Sequence, residues 1–319
     1  MKHFRNSPSW TTYRAILAEE FGIVLTIEPE ETQLLVRGHK VRIDQWPASG
    51  AAKGTLLLVH GGGGNGRILA PLAEPLAQRG WKVLAPDLPG YGLTEPAAGY
   101  KGEYAEWPAV LSDIADAERE PTVIMGLSMG GLTAFLAAQA SRNIRGVIAT
   151  TLLDLSNRST FIRTARWSWL GQLSLSSMAA MPWLFDRIVL PLSLVTPLAA
   201  MSSNTRMQAY FQEDPFIGKS WKPARFFRTV HQHRIKDWTL NCPLLLVHPG
   251  QDVWTPTELS LAVFNKVQTI KRFVQLRAGS HLPTEASAYG DLIAECEKFL
   301  NEIVGSASCA APLVADDRG

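Results

Sequence analysis

A serine lies between two glycines at residues 126–130, which read Gly-Leu-Ser-Met-Gly. The apolar run 122–126 before it is typical of a buried strand, and the pattern at 130–140 after it is helical. A serine at such a sharp turn holds its hydroxyl above the sheet, where glycines tolerate close backbone approach. Ser128 is therefore a candidate nucleophile for acyl transfer, and an ordinary glycine-rich turn is the alternative interpretation.

With this turn between a strand and a helix, the chain resembles the α/β-hydrolase family, in the manner of carboxylesterases and monoacylglycerol lipases. The resemblance implies a mostly parallel, doubly wound sheet with an inserted helical cap. It also implies a nucleophile, an acid and a histidine in that chain order. Dehalogenases and epoxide hydrolases of this fold carry a carboxylate at the nucleophile position, so Ser128 disfavours those reactions.

The resemblance assigns the other two members of a triad. Asp252 lies in GQDVWTP at 250–256, where the family usually keeps its aspartate, and His281 lies in GSHLP at 279–283, after the last strand-like run. His281 would take the proton of Ser128, and Asp252 would orient His281 and stabilise its charged form. Asp154 is the alternative acid, because some members of the family place it after the strand before the insertion.

The remaining histidines are weaker candidates for the catalytic base. Structural, core or surface positions account for them more simply, although two lie in the insertion, where they could contact substrate. They are His3, His39, His60, His231, His233 and His248.

An oxyanion hole is expected at residues 60–64, which read His-Gly-Gly-Gly-Gly, as in members of the family with an HGGG-type loop. Backbone N–H groups stabilise the oxyanion, and glycine lets them approach it closely. We expect the amides of Gly62 and Met129 to be the donors, with Gly63 as the second choice from the loop.

A nucleotide site is the alternative reading of the glycine-rich loop. Gly61, Gly63 and Gly66 match G-x-G-x-x-G loosely, and Asp87 would have to serve as the ribose ligand. The segment 87–92 instead matches a turn of the hydrolase family. Neither a cofactor nor a metal is expected, because no metal-ligand spacing accompanies the triad.

The composition narrows the classes of protein further. The 319 residues include 31 basic and 29 acidic side chains, a balance that argues against nucleic-acid binding. Three scattered cysteines favour a reducing, cytoplasmic compartment. No apolar leader is evident, and charges and prolines interrupt the apolar stretch 181–201, so neither a signal peptide nor a membrane span is expected.

The order of elements supports this fold. Runs at 23–27 and 34–43 predict an antiparallel hairpin, and alternating strand and helix patterns from residue 55 predict βαβ units. Residues 155–237 carry helical patterns without a clear strand. We therefore expect a core of 1–154 and 238–304, a helical cap of 155–237 and a disordered tail of 305–319.

The cap composition bears on the substrate. Its aromatic and Met residues predict an apolar pocket, with Trp167, Trp183, Trp254, Leu127 and Leu282 as candidate lining residues. The cap has 11 basic and 4 acidic residues, a net charge of +7. This charge is compatible with weak contact to an anionic membrane surface, and a solvated basic face is the alternative.

The sequence therefore predicts a serine hydrolase that cleaves apolar, medium-sized carboxylic esters through an acyl-enzyme intermediate. The same triad could instead cleave a carbon–carbon bond, a lactone or an amide, or transfer an acyl group. A non-catalytic ligand-binding protein on the same fold is the alternative of another class. The expected partner is a small-molecule ester, and the oligomeric state is left open.

Overall fold

Short apolar runs form the centre of the sheet because both of its faces are covered. The computed structural model describes residues 3–309. Strands β3 (Thr55–Val59), β5 (Thr122–Gly126) and β9 (Leu244–His248) are buried at every position. On β3, Leu56 and Leu58 pack into one apolar cluster and Leu57 and Val59 into another, one on each face of the sheet.

The central sheet has eight strands in the order β1-β2-β4-β3-β5-β6-β9-β10. Strand β2 pairs antiparallel with β1 and β4, and all other pairs in this sheet are parallel. The fold class predicted from the sequence is thus confirmed. The remaining strands of this sheet are β1 (Glu30–Val36), β2 (His39–Trp46), β4 (Lys82–Pro86), β6 (Ile144–Ala149) and β10 (Lys271–Gln275).

Helices cover both faces of the sheet. Those outside the insertion are α1 (Pro8–Phe21), α2 (Ala70–Gln78), α3 (Glu106–Ala117), α4 (Met129–Ala140), α11 (Thr257–Phe264) and α12 (Ala286–Cys309). Helix α12 continues into the segment predicted as a tail, and residues 310–319 of that segment lie outside the described residues. Among residues 3–309, no helix is both long enough and apolar enough to cross a membrane.

The predicted N-terminal hairpin is wrong in its strands. Residues 23–27 form no strand, and the hairpin joins β1 to β2 instead. The reversal occurs at Arg37 and Gly38, whose φ angles of 51° and 81° make the tight turn that a two-residue hairpin needs. The chain therefore reverses direction in the middle of the predicted strand 34–43, which contributes to both β1 and β2. The backbone N–H groups of Thr26 and Ile27 donate instead to the Glu74 carboxylate.

Between β6 and β9 the chain forms a helical insertion, which we call the cap. Its helices are α5 (Arg158–Thr164), α6 (Ser168–Ala180), α7 (Pro182–Phe185), α8 (Leu192–Val195), α9 (Thr205–Glu213) and α10 (Ala224–Gln232). A two-stranded antiparallel ribbon, β7 (Val189–Pro191) with β8 (Trp221–Pro223), lies within it, where the sequence suggested no strand.

Polar contacts attach the cap to the core beside β8. The buried Lys222 donates from Nζ to the Gly90 carbonyl at 2.8 Å, and burial lowers the pKa of Lys222 to about 7. Arg225 pairs with Glu103 at 2.8 Å. The basic charge of the cap is therefore partly used in contacts with the core.

A buried ion-pair network lies beside the glycine-rich loop. Arg42 pairs with Glu31, Asp44 and Asp87, and Arg67 pairs with Glu31 and Asp44. All five side chains are at most 3% exposed. Such charges are tolerated in an interior only when each has its partners.

This network positions the segment that follows the glycine-rich loop. Asp87 accepts hydrogen bonds from the backbone N–H of Gly66 and of Leu93, both at 2.7 Å. Gly66 begins a short 3₁₀ helix, Gly66–Leu69, capped by the side chain of Asn65. The loop is thus fixed at its C-terminal end by a buried carboxylate.

Removal of Arg42 should destabilise the fold strongly. Arg42→Met would leave the buried Asp87 without its ion-pair partner, whereas Asp44 and Glu31 would keep Arg67. The expected loss in the free energy of unfolding is about 3–5 kcal/mol. Urea unfolding measures it. Lys40→Gln, which breaks the exposed Lys40–Glu95 pair, is the matched control and should cost at most about 1 kcal/mol. Equal small losses in both variants would contradict this account of the network.

Candidate active site

Ser128 occupies a strained turn between β5 and α4. Its φ of 56° and ψ of −130° lie outside the regions that L-residues prefer, so surrounding structure must hold them. A Cβ atom at Gly126 would lie 2.0 Å from the Gly130 carbonyl oxygen, and one at Gly131 would lie 1.9 Å from that of Thr151. Only glycine at 126 and 131 lets the turn close this tightly.

The structure brings the three predicted triad residues together. The Nε2 atom of His281 lies 2.7 Å from Ser128 Oγ, and its Nδ1 atom lies 2.7 Å from Asp252 Oδ2. The side chains of His281 and Asp252 are at most 1% exposed. In this arrangement the imidazole can accept the serine proton while the carboxylate stabilises the resulting charge.

The carboxylate of Asp252 is held by more than the histidine. The backbone N–H groups of Trp254 and Thr255 donate to Oδ1, both at 2.9 Å, and the Thr255 hydroxyl donates to Oδ2 at 2.6 Å. Burial opposes ionisation of Asp252, but the neighbouring His281 and the Thr255 hydrogen bonds hold the pKa of that carboxyl at about 2. The group is therefore ionised at neutral pH.

Thr255 is a contact that the sequence analysis missed. Besides donating to Asp252, its hydroxyl oxygen lies 3.2 Å from Nδ1 of His281, and the side chain is buried. The available signal was a hydroxyl three residues after the acid, in a loop just before a helix.

The alternative acid lies apart from the histidine. Asp154 accepts hydrogen bonds from the backbone and hydroxyl of Ser156, and it lies 3.8 Å from Nζ of Lys266. The structure therefore pairs His281 with Asp252 and places Asp154 in a local turn.

The glycine-rich loop lies directly against Ser128. A Cβ atom at Gly61 would be 2.8 Å from Cβ of Ser128, and Gly62 contacts the Met129 side chain. Gly62 and Met129 both line the cavity above Ser128, whereas Gly63, with φ of 104°, packs against Leu192. Of the two predicted loop donors, Gly62 is the one on the cavity wall.

His60 holds this loop in place through both of its ring nitrogens. Its Nδ1 atom lies 2.8 Å from the Gly61 carbonyl oxygen, and its Nε2 atom accepts from the backbone N–H of Leu88 at 3.0 Å. Complete burial lowers the pKa of His60 to about 4, so the ring is neutral at pH 7. This is the structural role that the sequence analysis favoured for it.

The histidines of the cap make structural contacts. Nδ1 of His231 lies 2.8 Å from the Leu155 carbonyl oxygen, and its ring packs against Phe161. The ring of His233 packs edge-on against Tyr104. Neither hydrogen-bonds to a triad residue.

A cavity of about 110 Å³ lies between Ser128 and the cap. None of the described residues that line it is charged, and most are apolar. They include Leu155, Phe161, Leu170, Met178, Phe185, Leu190, Val195, Phe226, Phe227 and Trp254. A smaller cavity of about 30 Å³ shares Gly62, Ser128 and Trp254 with it and is also lined by His281.

The five predicted pocket residues are placed differently. Trp254 lines both cavities, and Leu127 and Leu282 line the smaller one. Trp167 is 39% exposed and stacks on Trp169, and Trp183 is 61% exposed; neither lines either cavity. The prediction rested on the composition of the cap, which does not identify the side chains that turn inward.

Comparison with known proteins identifies a hydrolase family and partial matches to esterases. A model of the family described as "Serine aminopeptidase, S33" matches residues 50–284. Pimeloyl-[acyl-carrier protein] methyl ester esterase of Shewanella sp. (strain MR-7) is 31% identical over 117 residues, which are 36% of this chain and 39% of that protein. The same enzyme of Xanthomonas oryzae pv. oryzae (strain MAFF 311018) is 33% identical over 112 residues, 35% and 40% of the two chains. The alignments thus span about two fifths of these relatives.

Solved structures resemble the fold over a longer stretch. A soluble variant of monoglyceride lipase from Saccharomyces cerevisiae superimposes with a TM-score of 0.68 at 19% identity, covering 87% of this chain and 96% of that one. The monoacylglycerol lipase of Paleococcus ferrophilus gives 0.64 at 20% identity, covering 82% and 99%. At these identities the likeness establishes the fold alone.

The depressed pKa of Asp252 predicts how its contribution to stability depends on pH. Its folded pKa of about 2 lies below the ordinary 3.8, so the contribution is present above about pH 4 and is lost as pH falls toward 2. The free energy of unfolding of the wild type relative to Asp252→Asn should therefore fall by about 2 kcal/mol over that window. Urea unfolding at several pH values measures this; a pH-independent difference would refute it.

Proposed function

The chain belongs to the serine aminopeptidase S33 family of α/β hydrolases, and from that premise we propose that it is a serine esterase for carboxylic esters with apolar acyl groups. The observation that carries the proposal is the continuous hydrogen-bonded series from Ser128 through His281 to Asp252, at 2.7 Å for each step, at the floor of an uncharged cavity. This series provides a nucleophile, a base and a group that orients the base.

In the proposed reaction, Ser128 Oγ attacks the ester carbonyl as His281 accepts its proton. The amides of Gly62 and Met129 stabilise the oxyanion, His281 returns the proton to the departing alcohol, and an acyl group remains on Ser128. Water then attacks the acyl-enzyme with His281 again as base, which releases the acid and restores the serine.

The lining of the larger cavity supports an apolar acyl group. A charged or strongly polar substrate group would lose its hydration there without gaining a partner, because no charged side chain is among the described lining residues. The same feature argues against an aminopeptidase, since a free α-ammonium group needs a carboxylate at its subsite. The relatives that match part of this chain are methyl ester esterases, which agrees with ester chemistry.

Hydrolysis of p-nitrophenyl esters from acetate to palmitate tests this function. We expect kcat/KM to rise from acetate to esters of medium chain length, since each buried methylene contributes about 0.8 kcal/mol of transfer free energy. Ser128→Ala should lose about 10⁴-fold or more in kcat/KM, and Ser176→Ala, an exposed cap serine, serves as its control. Fastest turnover of acetate, or activity retained in Ser128→Ala, would contradict the proposal.

We also propose that the cap contacts anionic membrane surfaces. Ten large apolar residues of the cap are exposed. They are Trp167, Trp169, Leu173, Met181, Trp183, Leu184, Ile188, Val189, Leu194 and Trp221. Two of the tryptophans lie under guanidinium groups, Trp167 under Arg166 and Trp183 under Arg187. Exposed tryptophan beside arginine suits the interfacial region of a bilayer.

The cytoplasmic location of the protein stays a prediction.

Co-sedimentation with vesicles tests this contact. The wild type should sediment with vesicles that contain phosphatidylglycerol at low salt, and less at high salt, because screening weakens the attraction. Trp169→Ser combined with Trp183→Ser should weaken binding about tenfold or more, while Leu35→Ser, an equally exposed apolar residue of the core, should not change it. Equal binding by both variants would refute a cap-mediated contact.

A further inference from the structure

Trp254 contacts the triad and the cap at the same time. Its backbone N–H donates to Asp252 Oδ1 at 2.9 Å, and its ring lies against the His281 ring, with 4.5 Å between centroids and 49° between planes. Its indole Nε1–H donates to the Thr164 carbonyl oxygen, also at 2.9 Å. One side chain therefore connects the imidazole to helix α5 of the cap.

The ring of Trp254 lies against the imidazole, and Trp254 also lines the larger cavity. His281 lines the smaller cavity, whereas Trp254 lines both. To serve as base, His281 must hold hydrogen bonds to Ser128 and Asp252 with one ring orientation. A large side chain packed against the imidazole opposes rotation of that ring.

The cap end of this connection is a helix terminus. Thr164 is the last residue of α5, where a backbone carbonyl has no partner within its own helix. Trp254 supplies that partner, and Thr164 and Trp254 both line the larger cavity. A second contact at the same end, the Arg163–Glu258 pair at 3.0 Å, is exposed and does not involve the triad.

We propose that Trp254 is a positioning residue for both His281 and helix α5. The indole N–H fixes the wall of the acyl cavity, and the ring holds the imidazole. This inference rests on the proposed function of the same site. The two contacts use different parts of the side chain, so conservative and non-conservative variants separate them.

Two variants and one control separate the contact of Trp254 with His281 from its hydrogen bond to α5. Trp254→Phe keeps an aromatic ring beside His281 but removes the donor to Thr164. Trp254→Leu removes both. Arg163→Gln breaks the other contact between α5 and the core and leaves Trp254 untouched. Each protein is assayed with p-nitrophenyl acetate and decanoate, and the rate at which a fluorophosphonate labels Ser128 is measured separately.

We expect Trp254→Phe to raise KM for decanoate about three- to tenfold, the effect of about one hydrogen bond, with kcat and the acetate kinetics within about twofold of wild type. Trp254→Leu should lower kcat for both esters and the labelling rate by about tenfold or more. Arg163→Gln should match wild type in all three readouts, because an exposed ion pair contributes little.

The alternatives give different patterns. If Trp254→Phe and Trp254→Leu behave alike, or if Trp254→Leu is labelled at the wild-type rate, the positioning role is refuted. If Arg163→Gln raises KM for decanoate as Trp254→Phe does, any displacement of α5 has this effect, and a specific role of the indole N–H is refuted. If no protein hydrolyses either ester, the proposed esterase function fails, and the labelling rates still decide whether Trp254 positions His281.

Discussion

The backbone of Ser128 is the constraint on which the rest of the site depends. A non-glycine residue at φ 56° is a local cost of about 1–3 kcal/mol, which the packing around it must offset. The turn closes because Gly126 and Gly131 allow backbone contacts that no side chain would permit. The same closeness places Gly61 against the serine, so the loop amides and the hydroxyl share one small volume.

Buried polar groups hold the loops around this turn on both sides. Asp87, paired with Arg42, fixes the segment after the glycine-rich loop, and Thr255 with two backbone amides fixes Asp252. These contacts are all made between groups of the protein itself. An arrangement of this kind stabilises charge in a transition state without the cost of reorienting dipoles.

The sequence predicted what local chemistry specifies and missed what packing decides. The serine turn, the aspartate loop and the last histidine each follow a parallel strand of the sheet, so their convergence was predictable from the resemblance. The hairpin was misplaced because the Arg37–Gly38 turn lies inside the segment 34–43, which was predicted as one continuous strand. Trp167 and Trp183 were expected in the pocket because composition does not reveal which side of a short helix faces inward.

The central claim is that Ser128 carries the acyl group during turnover. Rapid mixing with excess p-nitrophenyl decanoate, followed by acid quenching and peptide mass spectrometry, tests it most directly. The account predicts a burst of p-nitrophenol equal to the enzyme concentration and a decanoyl mass on the peptide that contains Ser128. Steady turnover with the acyl mass on another residue, or with neither a burst nor an acylated peptide, would contradict it.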